Sequence, residues 1–265
     1  MDGTVRSIGR DTASAIRPFL ELEAVSRRFG GVQAVDGVDL AIARGELLGI
    51  IGPNGAGKTT LFNLISGFVR PSSGRIRFKG RRIDGKAAHR IAHFGISRTF
   101  QNLRVFPNLT VFDNVAAGAI GALGFPAWRA FIGGNRTTAI TQRTWQALER
   151  VGLAGHATDA VTTLPYGRRK YLEIARALAT EPELLILDEP AAGLNETETI
   201  ELADFMRGLN ASGLTLLLVE HDMGLVMSTC RRVVVLAAGR KIADAAPAEV
   251  QADPEVQRAY LGGAE

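Results

Sequence analysis

The chain has 265 residues, 46% of them hydrophobic and 22% charged, which is enough to bury a sizeable core and too ordinary for a fibrous or disordered protein. Its formal charge of +4 is compatible with an anionic ligand, a membrane surface or a merely solvated basic exterior. The single cysteine, Cys230, excludes an internal disulfide, and no run of about 20 apolar residues marks a membrane-spanning helix.

Residues 1–18 lack a continuous apolar core, so they read as a disordered extension ahead of a domain over 19–265, not as a secretory signal. Strands are expected at 19–25, 38–42 and 47–51, the last an uninterrupted apolar run. Directly after it, residues 52–60 read GPNGAGKTT, a complete GxxxxGK[ST] phosphate loop, and residues 58–66 read as a helix with Leu61, Phe62, Leu64 and Ile65 on its apolar side. Strand, glycine-rich loop and helix is the context this motif requires. Gly52, Gly55 and Gly57, with Asn54 and Ala56 between them, let backbone N–H groups turn inward on a polyphosphate. The helix N-terminus and Lys58 supply positive charge, the Thr59 hydroxyl suits Mg²⁺, and Thr60 completes the motif.

Further along, 75–79 alternates Ile76 and Phe78 with basic residues, as a half-exposed strand does. The early strands lack intervening helices and predict an antiparallel β layer. Gln101 follows this β section; its amide suits a Mg²⁺ ligand or a water-positioning group, or else it is an exposed turn residue. Between about 102 and 180 no strand is evident, while 109–120, 138–151 and 168–180 have helical spacing, which predicts a helical lobe inserted into an α/β core. The nearest approach to a membrane span, 115–134, is interrupted by Pro126, Arg129 and glycines.

The runs 183–187, 215–219 and 232–236 read as strands buried on both faces, and with helices between them they predict a mostly parallel sheet. The first ends in Asp188 and Glu189. Carboxylates at the carboxyl end of such a strand lie on the edge where a phosphate loop opens, so Asp188 is expected to hold Mg²⁺ and Glu189 to take a proton from attacking water. The second ends in Glu220-His221-Asp222. His221 is either a γ-phosphate sensor or a structural histidine, and residue type alone leaves both open. Cys230 reads as an inert buried thiol.

These pieces, in this order over 19–263, resemble the ATP-binding subunits of ABC transporters. The resemblance implies that Leu164-Pro165-Tyr166-Gly167-Arg168 stands in the position of the family's signature, that Phe29 stacks on adenine, and that Gln101, Glu189 and His221 act in hydrolysis with Thr59, Gln101 and Asp188 organising Mg²⁺. It also implies that two ATPase subunits sandwich ATP head to tail. Residues 28–31, 98–101, 172–177, 188–195, 220–223 and 259–262 resemble the branched-chain amino acid branch, whose members serve two membrane permeases and an extracytoplasmic solute-binding protein from the cytoplasmic face of the bacterial inner membrane. The second ATPase is a paralogue or another copy of the chain; nucleic acid is not an expected partner. Pro165 cannot donate a hydrogen bond where relatives offer a serine hydroxyl, and Arg168 replaces a glutamine. The ATP completed by this signature is therefore expected to turn over more slowly. Asn195 stands where many relatives carry aspartate.

Two other classes meet obstacles in the same residues. A soluble ABC ATPase acting on DNA would separate the phosphate loop from the signature by a long coiled coil, and ribosome-acting members carry two such domains in one chain. A P-loop small-molecule kinase would leave the signature-like segment and His221 without a role.

Overall fold

The computed structural model describes residues 18–100, 103–123 and 135–261. The extension expected over 1–18 lies outside them except for Pro18, and so does Gln101. In chain order the elements are β1 (Leu20–Phe29), β2 (Val32–Ile42), β3 (Leu47–Ile51), α1 (Lys58–Ile65), β4 (Ser73–Phe78), β5 (Arg81–Arg82), α2 (Ala88–His93) and β6 (Ile96–Arg98). Next come α3 (Val111–Ala122), α4 (Asn135–Arg150), α5 (Tyr166–Leu178), β7 (Leu184–Asp188), α6 (Glu196–Ala211) and β8 (Thr215–Val219). The chain continues with α7 (Met223–Thr229), β9 (Arg232–Ala237), β10 (Arg240–Ala245), α8 (Pro247–Ala252) and α9 (Pro254–Leu261).

Two sheets carry the architecture. An antiparallel four-stranded sheet has the order β2-β1-β4-β5, and a six-stranded sheet has the order β10-β9-β3-β8-β7-β6. In the second, β9, β3, β8, β7 and β6 run parallel, and β10 is an antiparallel edge. The α/β class with a mostly parallel sheet and an antiparallel β layer is thus observed.

Strand periodicity sorts the core into two halves. Leu47, Ile51, Leu185, Leu187, Leu216, Leu218, Val233 and Val235 join one apolar cluster, and Leu48, Ile50, Leu184, Ile186, Leu217, Val219, Val234 and Leu236 join the other. Every second residue faces the opposite side of the sheet, which explains why these runs read as continuously apolar. The first cluster also takes in α3, α4 and α5 through Val115, Ile140, Leu148, Leu172 and Ile174. The second receives the antiparallel sheet and α1. Gly49 permits one close approach: a Cβ there would lie 2.8 Å from the Val226 side chain and 3.0 Å from Cys230 Sγ. Burial pushes the Cys230 thiol up to about 12, so it is unreactive at neutral pH.

Among the described residues of 103–178 the helices are accompanied only by an isolated bridge between Thr110 and Ala160. Thr110 caps α3 by accepting from the Asp113 N–H. The helix expected at 168–180 begins earlier, at Tyr166 with Pro165 as its N-cap. Proline is disfavoured inside a helix but tolerated at its entrance, so the signature-like residues form the first turn. The strands β5, β6 and β10 were not anticipated; two are shorter than a periodicity can reveal, and β10 is a half-buried edge without a continuous apolar face.

Candidate nucleotide site

The phosphate loop connects β3 to α1 as its motif requires. Gly52, Gly55 and Gly57 have φ of 151, 78 and 101°, in the region that disfavours side chains. Crowding reinforces the requirement: a Cβ at Gly57 would run into the Ala34 carbonyl of β2, and one at Gly52 into the Leu236 carbonyl of β9. Ala56 is buried beneath the loop, while Asn54, Gly55 and Thr59 are exposed and Thr60 is half-buried. Lys58 is buried, with Nζ donating to the Gly52 carbonyl at 2.5 Å and the Pro53 carbonyl at 3.0 Å. Burial lowers its pKa, and the charges of Glu189 and Asp188 oppose that shift. The loop's cation and the two carboxylates at the end of β7 therefore share one electrostatic environment.

The β7 end is built by register. Asp188 pairs with Val219 across the parallel ladder, which brings the residues following β7 and β8 together. Glu189 adopts a φ of 49°, a conformation costly for a residue with a Cβ, and its N–H donates to the Val219 carbonyl. Its Oε1 lies 2.8 Å from His221 Nε2. Beneath them Glu220, 4% exposed, accepts from the Ala191 N–H at 2.7 Å and the His221 N–H at 3.1 Å. Burial pushes the Glu220 carboxyl above the usual carboxylate range, against those amide donors. This clamp holds the segment after β7 to the segment after β8. Asp188 is almost wholly buried and pairs with Arg98, Nη2 to Oδ2 at 2.6 Å.

The signature-like residues lie elsewhere. The Tyr166 ring packs on Gly193, its hydroxyl donating to the Ala192 carbonyl at 3.3 Å. Gly167 is buried against the Glu198 carboxylate, and Pro165 and Arg168 are exposed. No described hydrogen bond joins residues 165–168 to the phosphate loop. Asn195 caps α6, accepting from the Glu198 N–H while Glu198 accepts from the Asn195 N–H. Aspartate and asparagine perform this capping equally well, so the departure at 195 leaves the local turn intact. Phe29 ends β1, 44% exposed, with the Arg27 guanidinium 4.4 Å above its ring.

Sequence reading missed several neighbours of the site. Arg98 and Glu220 lie within segments that resemble the branched-chain amino acid branch, but residue type gave neither of them a role. Tyr260 of α9 faces the loop from the C-terminal side; burial raises its hydroxyl pKa and the Gly52 N–H lowers it. A groove of about 770 Å³ between α2, β6, α3 and α5 is lined by Phe68, Phe100, Arg104, Phe106, Gly118 and Glu173 among others. Phe68 and Phe106 are exposed in it.

The donors near the loop are hard oxygens, the Thr59 hydroxyl and the Asp188 carboxylate, and no group of three or more His, Cys, Asp or Glu suited to a metal occurs among the described residues. Such a set fits Mg²⁺ shared with substrate phosphates and water, and does not fit zinc or an all-protein cage.

A family model described as ABC transporter matches residues 35–192, and one described as branched-chain amino acid ATP-binding cassette transporter matches 240–265. The high-affinity branched-chain amino acid transport ATP-binding protein BraF of Pseudomonas aeruginosa is 42% identical over 94% of the chain and 99% of its own length. The LivG protein of the same description from Escherichia coli is 40% identical over 94% and 99%. Among solved structures, a nucleotide-free ATP-binding cassette from an ABC transporter superposes with a TM-score of 0.82 at 30% identity, covering 92% of the chain and 98% of its own. An ATP-binding cassette of an ABC transporter in its ADP conformation gives 0.82 at 30% over 92% and 99%.

Proposed function

Because the chain belongs to the ABC transporter ATP-binding proteins of the branched-chain amino acid type, whose ATPase activity it shares, we propose that it hydrolyses ATP to drive uptake of branched-chain amino acids through membrane permeases. The observation that carries the substrate class is the match over residues 240–265, because the nucleotide site alone would suit any ABC ATPase. No described helix is long and apolar enough to cross a membrane; in this reading the chain acts against permeases as a peripheral subunit at the cytoplasmic face.

In this reading the amides of residues 52–60 and the Lys58 ammonium bind the phosphates of ATP, Lys58 exchanging its loop carbonyls for phosphate oxygens. Phe29 offers its face to adenine. Thr59, Asp188 and Gln101 would hold Mg²⁺, which when bound neutralises phosphate charge. Glu189 accepts a proton from the attacking water, and His221 orients the Glu189 carboxylate through the 2.8 Å contact. Residues 165–168 complete the ATP bound on a second ATPase subunit. Gly167 and the start of α5 supply backbone donors there, while Pro165 contributes none, which favours slower turnover at that nucleotide. An extracytoplasmic binding protein would deliver the solute.

The groove bearing Phe68 and Phe106 suits a permease helix, since exposed aromatics in a concave apolar surface are typical anchors. The Phe106 N–H donates to Asn114 Oδ1 at 2.8 Å, so its backbone survives side-chain replacement. Phe106→Asp should leave ATP binding unchanged and cut co-purification with the permease pair by about tenfold or more. Undiminished recovery of the complex would remove the groove as the docking surface, and failure of the wild-type chain to support leucine uptake with those permeases would remove the proposed function.

A further inference from the structure

Arg98 closes β6 and is more completely buried than an arginine ordinarily is. Its side chain is 5% exposed and that of Asp188 6%. Nη2 meets Asp188 Oδ2 at 2.6 Å, while Nη1 donates to Asn63 Oδ1 at 2.7 Å and to Ser66 Oγ at 3.2 Å. The guanidinium lies 5.9 Å from the Phe62 ring centroid and 5.6 Å from that of Phe100. Its Nε, by contrast, is buried with no acceptor among the described residues. Leaving a donor unsatisfied is unfavourable, and a buried ion pair is seldom a net source of stability. The side chain is therefore placed by what its two terminal nitrogens hold.

Those nitrogens connect two parts of the nucleotide site. Asn63 lies in the far turn of α1, the helix that opens on the phosphate loop, Ser66 is its C-cap, and Asp188 is the last residue of β7. The planar fork of arginine spans both at once, whereas a lysine ammonium is a single point charge on a flexible stem. A carboxylate that binds a metal through one oxygen is commonly oriented by a hydrogen bond to the other. Here Arg98 takes Oδ2, and among the described residues no hydrogen bond is made to Oδ1.

We propose that Arg98 is the positioning residue of the metal-side carboxylate, fixing Asp188 relative to α1 so that its second oxygen is presented to Mg²⁺. The proposal rests on the reading that Asp188 holds Mg²⁺. Arg98 also forms part of the groove wall.

The test uses the full-length chain and measures ATP affinity, by displacement of a fluorescent ATP analogue, first in EDTA and then during titration with MgCl₂. Arg98→Met is expected to keep the metal-free affinity within about twofold and to raise the Mg²⁺ midpoint by about tenfold. Arg98→Lys should recover part of that loss. Thermal unfolding in EDTA reports the fold separately: an arginine that only supports packing would lower Tm and leave the Mg²⁺ midpoint in place. An unchanged midpoint in both variants overturns the proposal. Asp188→Asn separates the two levels, since a wild-type Mg²⁺ midpoint there would refute the metal assignment itself, whereas a shifted one beside an unshifted Arg98→Met refutes only the role of Arg98.

Discussion

Glu189→Gln should lower ATP turnover by about 10²–10⁴-fold, the usual contribution of a general base, while ATP affinity stays within a few-fold of wild type. The substitution isolates one property. Glutamine has nearly the same shape, meets the same backbone strain at φ 49°, and its carbonyl can still accept from His221 Nε2, now 2.8 Å from Glu189 Oε1. It cannot take a proton at neutral pH. The local framework should persist too, because the Ala191 and His221 N–H groups are held by Glu220 and not by Glu189. The measurement is steady-state phosphate release alongside equilibrium ATP binding. Turnover remaining within threefold of wild type would remove Glu189 from the base role.

Lys58→Met should act earlier, on binding. Lys58 Nζ now satisfies the Gly52 and Pro53 carbonyls, and its charge is disfavoured by burial but supported by Glu189 and Asp188. A polyphosphate offers this buried cation a stronger partner than neutral carbonyls, in a site where charge-assisted hydrogen bonds contribute about 1.5–3 kcal/mol each. Methionine keeps the length of the side chain and removes the charge, so ATP affinity is expected to fall on the order of a hundredfold. Isothermal titration calorimetry with wild-type and variant chains, each checked for thermal unfolding, reads this directly. ATP affinity unchanged in Lys58→Met would mean that the loop does not bind the phosphates.

The parts of this site that could be read from the sequence are those whose chemistry is contiguous. Residues 52–60 carry glycine, lysine and threonine at fixed spacing, and the apolar runs before Asp188 and His221 place each acidic or imidazole group at a strand end. What joins them is not contiguous. The Arg98–Asp188 pair spans 90 positions and depends on β6, three residues long, finding its place beside β7. Periodicity cannot identify so short a strand. The same holds for Glu220, which reads as one more polar residue after a strand until the β7–β8 register sets Ala191 against it. Tyr166 read only as a departure from a signature; the turn at Gly193 on which its ring lies became visible once α6 and its Asn195 cap were in place. Gln101 lies outside the described residues, so its expected role stands as a proposal.

In the proposed function, hydrolysis at this chain's own phosphate loop drives solute through a membrane. Uptake of radiolabelled leucine into proteoliposomes containing the permeases, the external binding protein and this chain with its companion ATPase tests it most directly. ATP enclosed with the ATPase face should support uptake with the wild-type chain, and Glu189→Gln should reduce that uptake to the level seen without ATP. Leucine accumulation that continues with Glu189→Gln, or that is the same with and without ATP, would mean that hydrolysis at this phosphate loop does not drive uptake.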